Sequence, residues 1–261
     1  MPEVQDSMLE AIAEDPEHLR ILRDLGFCSA MVVPLRARGK VLGDIALVSA
    51  DSGRVYDEEE FAMVQELATR CALAIDNARL YAESRENADR LRHQALHDPL
   101  TNLPNRTLVL DRLEVALARA NRRDGEPALL FFDLDGFKAV NDARGHRVGD
   151  ELLAAIPGRL DRLLRDEDTL GRFGGDEFVV LCEDVDDEAD ATDIAERLIA
   201  AMERPFDLDG GPVRVGLSLG IAFARAEGET PDSLLHNADA AMYEAKRAGR
   251  GYAVFGAALP V

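Results

Sequence analysis

Two glycines followed at once by two carboxylates, Gly174-Gly175-Asp176-Glu177, are the residues of this sequence best placed to do chemistry. They lie between β-prone runs, Arg172-Phe173 before and Phe178-Val179-Val180-Leu181 after. A Gly-Gly pair in that setting predicts a tight hairpin turn needing positive φ. Bare backbone at the tip lets a ligand approach closely. Asp176 and Glu177 would stand at the mouth of that gap. Acidic groups beside bare backbone suit a metal-bound nucleotide better than a naked anion, because Mg²⁺ is held by few carboxylates together with substrate phosphates. Upstream, the apolar run Ala128 to Phe132 predicts a central strand that leads into Asp133-Leu134-Asp135-Gly136. If that strand pairs with the hairpin, Asp133 meets Asp176, and carboxylates converging at strand ends are what metal-assisted phosphoryl chemistry requires.

The elements that must position these groups are legible on either side. Gly149 to Leu164 carries Leu152, Leu153, Ile156, Leu160 and Leu163 on one helical face, and Ala191 to Met202 repeats the pattern with Ile194, Leu198 and Ile199. Val213 to Ala224 reads as two β-rich runs broken at Gly216 and Gly220. Thr230-Pro231-Asp232 predicts a helix start, with Thr230 as N-cap and Pro231 in the first turn. That helix carries Leu234, Leu235, Ala238, Ala241, Met242 and Ala245 and stops near Gly249; Tyr252 to Phe255 would be a last short strand. Nearer the N-terminus, Leu19 to Leu25 reads as helix. Ser29 to Leu35 and Lys40 to Ser49 read as strands joined by the hairpin signal Arg36-Ala37-Arg38-Gly39. A long helix begins at Asp57. Its residues Val64, Ala68, Cys71, Ile75, Ala78 and Ala82 alternate steps of four and three, the coiled-coil spacing. A helical connector in a dimer is expected; a single amphipathic helix packed on its own domain is the alternative.

Composition narrows the partners. The 261 residues are enough for one large or two ordinary domains, and an apolar content of 47% can build real cores. A formal charge of −20 makes nucleic acid and anionic membranes unattractive partners. Cys28, Cys71 and Cys182 are few, odd in number and widely spaced, which predicts reduced thiols rather than a disulfide framework or zinc site. No apolar stretch reaches membrane-spanning length and no signal-peptide pattern opens the sequence, so a cytoplasmic location is expected.

Several motifs in order carry a family resemblance: Asp98-Pro99-Leu100-Thr101-Asn102-Leu103-Pro104-Asn105-Arg106, Phe132-Asp133-Leu134-Asp135-Gly136-Phe137-Lys138, Asn141-Asp142, Gly145-His146, Gly149-Asp150, the hairpin Gly174 to Phe178, and Lys246 with Arg250. Together they resemble the GGDEF domain of bacterial diguanylate cyclases, which join two GTP into cyclic di-GMP. The likeness covers roughly His97 to Phe255. It implies an α+β fold of the nucleotidyl-cyclase, palm-like kind, with a central mixed, largely antiparallel sheet flanked by helices. It also implies roles. Asp133, Asp176 and Glu177 would be the catalytic carboxylates and would hold Mg²⁺ (or Mn²⁺), assisted by the carbonyl of Leu134. Backbone near Gly136, Phe137 and Lys138, the Lys138 ammonium, Gly174, Gly175, Lys246 and Arg250 would meet the triphosphate. Asn141 and Asp150 would read guanine, Asp150 accepting from N1–H and N2–H₂, donors that adenine does not present in that pattern. Two domains would face each other in a homodimer, the 3′-hydroxyl of each GTP attacking the α-phosphorus of the other and releasing pyrophosphate.

Arg165-Asp166-Glu167-Asp168 precedes Gly174 by the five residues Thr169 to Phe173, which matches the family's product-inhibition site. Arg165 and Asp168 would bind cyclic di-GMP, joined by Arg197. A solvated charged turn is the plain reading of the same residues. The acidic run Glu183 to Asp190 reads as a solvated loop and helix start with no site. The first region, about Met8 to Tyr81, looks like the C-terminal half of a GAF sensor domain, chiefly through Val32-Val33-Pro34-Leu35, the hairpin and the exit helix. The expected division is a partial GAF-like domain at 1–80, a helical connector at 81–96 continuing the 57–80 helix, a GGDEF domain at 97–257 and a tail at 258–261. The competing functional reading is a catalytically weak module that binds GTP or cyclic di-GMP and regulates a neighbouring domain.

Overall fold

A computed structural model describes residues 4–50, 52–120, 126–185, 187–225 and 229–256; the expected tail at 258–261 lies outside them. The chain divides into two compact units, residues 1–90 and 91–261.

The first unit holds helices α1 (Asp6–Ile12) and α2 (Pro16–Asp24), strands β1 (Ser29–Ala37) and β2 (Lys40–Ser49), and most of helix α3 (Glu58–Leu96). Asp15 caps α2 by accepting from the amides of Glu17 and His18, both at 2.8 Å. Strands β1 and β2 pair antiparallel through the expected turn, where Arg38 and Gly39 both take positive φ. The pleat sends Met31 and Val33 to one face, where they pack on Val64 and Ala68 of α3. That packing spends the first two residues of the four-three series on the hairpin of their own unit, because an apolar sheet face needs cover. Ile75, Ala78 and Ala82 stay exposed.

The second unit contains α4 (Arg106–Ala120), β3 (Glu126–Asp135), α5 (Phe137–Arg144), α6 (His146–Leu160), β4 (Thr169–Gly174), β5 (Glu177–Val185), α7 (Glu188–Met202), β6 (Phe206–Leu208), β7 (Gly211–Val213), β8 (Gly216–Phe223), α8 (Pro231–Ala248) and β9 (Tyr252–Val254). Five strands form a sheet in the order β4-β5-β3-β8-β9. Every pairing is antiparallel except β8 with β9. The α+β class and mixed sheet expected from the sequence are those observed.

Central strand β3 is buried on both faces, which is why its sequence reads as a continuous apolar run rather than an alternating one. Leu130, Phe132 and Leu134 join one core with Leu152 and Ile156 of α6 and Leu198 of α7. Leu129 and Phe131 join the other with Leu113 of α4 and Leu234 and Ala238 of α8. Helix α6 starts earlier than its apolar pattern, at His146, and ends at Leu160. Leu163 falls in a short 3-10 turn beyond it. Gly220 does not break a strand: β8 runs through it. Helix α8 begins and ends as expected, with Thr230 capping Ser233 and Gly249 in the left-handed conformation. All three cysteines are free thiols. Among the described residues no helix is long and apolar enough to cross a membrane.

Candidate active site

The hairpin between β4 and β5 turns one residue later than the Gly-Gly pair suggested: Gly174 ends β4 opposite Glu177, and Gly175, at φ +53°, and Asp176 form the two-residue tip. Strand β5 lies beside β3 in a register that sets Glu177 opposite Asp133, and the amide of Leu134 donates to the carbonyl of Asp176 at 3.3 Å. Asp133 and the adjacent pair Asp176-Glu177, far apart in sequence, therefore share one end of the sheet. Packing this acidity together has an electrostatic consequence. The carboxyl of Glu177 is pushed above its ordinary range, first by burial and then by the charges of Asp239, Asp176 and Asp133.

The counter-charge comes from α8. The Lys246 ammonium donates to both oxygens of Asp133, at 2.8 and 2.7 Å. That bond, ahead of the fields of Asp133, Asp135 and Asp176, holds the Lys246 pKa above its usual value. Arg250 sits just past the end of the same helix, its amide donating to the carbonyl of Ala245 at 3.0 Å.

The tip is braced from outside the sheet. Arg172 donates from Nε and Nη2 to the carbonyl of Gly175, at 3.1 and 2.6 Å, and from Nη1 to Asp98 at 2.8 Å. Asp98 also accepts from the amide and hydroxyl of Thr101, at 2.9 and 2.7 Å. Burial alone would raise the Asp98 carboxyl, but the bonds from Thr101 and Arg172 hold it below its ordinary range. The Asp98–Thr101 segment is thus a brace for the glycine tip. Neither that link nor the contribution of Asp239 was legible in the sequence, since each depends on elements that meet only in the folded domain.

On the other side of β3, Gly136 in the left-handed conformation opens α5, so the first amides of that helix, from Phe137 and Lys138 onward, begin one residue after the acidic strand end. Asn141 lies on the second turn of α5. Its Oδ1 is buried and has no hydrogen-bond partner among the described residues. Asn141 faces Gly149 of α6, the residue before Asp150 in the chain.

A divalent cation fits this donor set in a particular way. Among the described residues no three His, Cys, Asp or Glu side chains form a metal shell by themselves. Asp133 nevertheless already accepts a cation on both oxygens. Mg²⁺ prefers one or two carboxylates completed by phosphates and water over an all-protein cage. Asp133 and Asp176 are the two carboxylates at this sheet end that could supply such a pair.

Arg165 and Asp168 stand on the loop before β4. The Arg165 amide donates to the Asp168 carboxylate at 2.9 Å, while the Arg165 guanidinium turns to Asp190, reaching both oxygens at 3.2 Å. Asp190, first among the charges acting on Arg165, raises its pKa. Burial, ahead of other causes, raises the Asp168 carboxyl and also the Cys182 thiol beside it. The acidic run Glu183 to Asp190 leads into the first turn of α7, and its last residue, Asp190, is the ion-pair partner of Arg165. Both line a cavity of about 710 Å³ together with Arg162, Asp193, Glu196 and Arg197.

Comparison with known proteins places the chain among its relatives. The family described as "Diguanylate cyclase, GGDEF domain" matches residues 95–252, and the GAF domain family matches residues 4–75. The chain is 51% identical over 162 residues to the bifunctional diguanylate cyclase/cyclic di-GMP phosphodiesterase MucR of Pseudomonas aeruginosa, covering 62% of this chain and 24% of that protein. It is 48% identical over 167 residues to the diguanylate cyclase TpbB of the same organism, covering 64% and 38%. The chain thus spans only 24% to 38% of the length of these relatives. Among solved structures, the GGDEF domain of TpbB superimposes with a TM-score of 0.59 at 45% identity, covering 61% of this chain and 94% of that one. The coiled coil and GGDEF domain of DgcB from Caulobacter crescentus, in complex with c-di-GMP, gives 0.65 at 28% identity, covering 71% and 98%. With its acidic sheet end, its glycine hairpin and more than half its length matched by the family, the chain belongs to the GGDEF-domain diguanylate cyclase family.

Proposed function

We propose that this chain is a diguanylate cyclase, condensing two GTP into cyclic di-GMP and two pyrophosphate across a homodimer. The observation that carries the reading is the meeting of Asp133 with Asp176 and Glu177 beside an open glycine hairpin, with Lys246 already seated on Asp133. Bound Mg²⁺ or Mn²⁺ supplies Lewis-acid polarisation of the α-phosphate. Asp133 and Asp176, with the Leu134 carbonyl and Glu177, hold the cation. The amides from Gly136 to Lys138 and the Lys138 side chain take the terminal phosphates at the start of α5, where unpaired N–H groups favour an anion. Lys246 releases Asp133 and moves to the phosphates, joined by Arg250. Asn141 and Asp150 accept from the guanine edge. The two GTP react only when two such domains face each other, and the part of α3 left exposed beyond Ala72 is where the connector, proposed at 81–96, begins to pair.

Incubation with GTP and Mg²⁺, followed by chromatography over a series of protein concentrations, tests the reading. Cyclic di-GMP and pyrophosphate should form, with specific activity rising through the dimerisation range. A chain that binds GTP at every concentration and forms no product is a binding module instead.

Product would bind at the cavity lined by Arg165 and Arg197, with Asp168 on the adjoining loop, and hold the two hairpins apart. Arg165→Ala removes the planar fork that can meet guanine or phosphate, and it should weaken cyclic di-GMP binding by about one to two decades. Calorimetry on both proteins decides: equal affinities remove Arg165 from the product site and leave the cyclase reading intact.

A further inference from the structure

Gly149 has no backbone reason to be glycine. It lies inside helix α6 with ordinary helical geometry and is absent from the residues with positive φ. Alanine is the better helix former at such a position. What forbids a side chain there is space. A Cβ on Gly149 would stand 2.0 Å from Oδ1 of Asn141, 3.0 Å from its Cγ and 3.2 Å from Cζ of Phe137. The Asn141 amide therefore occupies the volume that a methyl group would take. It does so with Oδ1 buried and without a hydrogen-bond partner among the described residues. Buried acceptors are normally satisfied, and an orphan of this kind is costly unless a donor arrives from elsewhere. Asp150, the next residue after Gly149, is exposed.

We propose that Gly149 is a specificity-determining position that acts through Asn141: its missing side chain lets the asparagine amide lie against α6 with its acceptor reserved for the 2-amino group of guanine. This inference rests on the base-pocket reading given above and goes one step further, to the residue that sets the pocket's geometry. A methyl group at 149 would meet the end of a flexible side chain. The amide would rotate away while the helix persists, and the acceptor would be lost to the base. Phe137, 3.2 Å from the same point, limits the directions open to the displaced amide. Gly149 is thus a positioning residue, and its signature is a change in base preference rather than in phosphate binding.

Inosine triphosphate separates these effects, because it differs from GTP only in lacking the 2-amino group. Affinities for GTP and ITP can be read by displacement of a ribose-labelled fluorescent GTP, with calcium replacing magnesium to suppress turnover. The unsubstituted chain should prefer GTP. Gly149→Ala should reduce the GTP-to-ITP preference by about tenfold, the scale on which the net gain from one neutral hydrogen bond acts, with ITP affinity little changed. Asn141→Ala should lower it similarly, and adding Gly149→Ala to Asn141→Ala should change the ratio less than about twofold, as expected when one residue acts through the other. An unchanged ratio in Gly149→Ala overturns the inference, as does an equal drop in the Asn141→Ala background. If Gly149→Ala alone fails to fold, a folded double variant still supports the inference, and an unfolded double variant overturns it. A native chain that binds GTP and ITP equally overturns the base-pocket reading itself and this inference with it.

Discussion

Asp176→Ala is expected to form cyclic di-GMP at least about 100-fold more slowly than the native chain, the loss typical when charge stabilisation of a transition state is removed. The fold should survive, because the structural service of Asp176 is its backbone carbonyl, which accepts from Leu134, and alanine keeps that carbonyl. What disappears is one of three carboxylates at the end of the sheet. Asp133, already engaged on both oxygens by the Lys246 ammonium, and Glu177 would remain. A divalent cation would have to compete with that ion pair with one carboxylate fewer to compensate. The deficit should therefore appear in kcat and in the metal concentration needed for half-maximal rate, with the melting temperature nearly unchanged. Steady-state rates across a magnesium titration measure both. Native turnover in Asp176→Ala removes this residue from the metal site.

A second large effect is expected far from any charge. Gly220 sits in the middle of β8 under α8, and a Cβ there would fall 2.0 Å from the carbonyl oxygen of Ala238 and 2.2 Å from the amide nitrogen of Met242. Both atoms belong to the helix backbone and neither can swing aside. Gly220→Ala must push α8 away from the sheet, and α8 carries Leu234, Ala238, Ala241 and Ala245 into the core and Lys246 to Asp133. Overpacking of a tight core costs about 1–3 kcal/mol and more where backbone must move. A loss of about 3 kcal/mol would lower the melting temperature of a domain this size by roughly 6–12 °C. Gly158→Ala is the matched control. It is an exposed helical glycine with nothing within 4 Å of its Cβ position, so alanine should leave stability unchanged or raise it by up to about 1 kcal/mol. Thermal melts of the two variants check the contrast; equal melting temperatures would mean that α8 does not lie this close to β8.

Local signals were enough for much of this protein. Gly174-Gly175 required a turn with positive φ. Thr230-Pro231 and Gly249 bounded a helix through capping chemistry that acts over a few residues. The apolar run before Asp133 could only be a strand covered on both faces. Because those signals follow a single chemistry in a fixed order, the acidic residues of the site were legible before any pairing was known.

What the sequence left open were the choices made by packing between distant segments. Val64 and Ala68 satisfy a coiled-coil spacing and a sheet-covering face equally well, since both need apolar residues every three or four positions; the apolar face of the β1–β2 hairpin, which they bury, decided between them. Gly220 looked like a strand break because glycine is poor in strands, and only the approach of α8 shows why it is there. Arg165 could be placed at the product site by its spacing, yet its ion pair with Asp190 depends on α7 reaching the loop before β4. Asp98 and Arg172 are separated by most of the domain's first half, so nothing local announced that one would hold the other against the hairpin tip. Residue types and their order determined the chemistry available to this chain. The register of β5 on β3 and the seating of α8 on the sheet decided which charges face one another, because an electrostatic site is defined by distances of a few ångströms that only the folded chain sets.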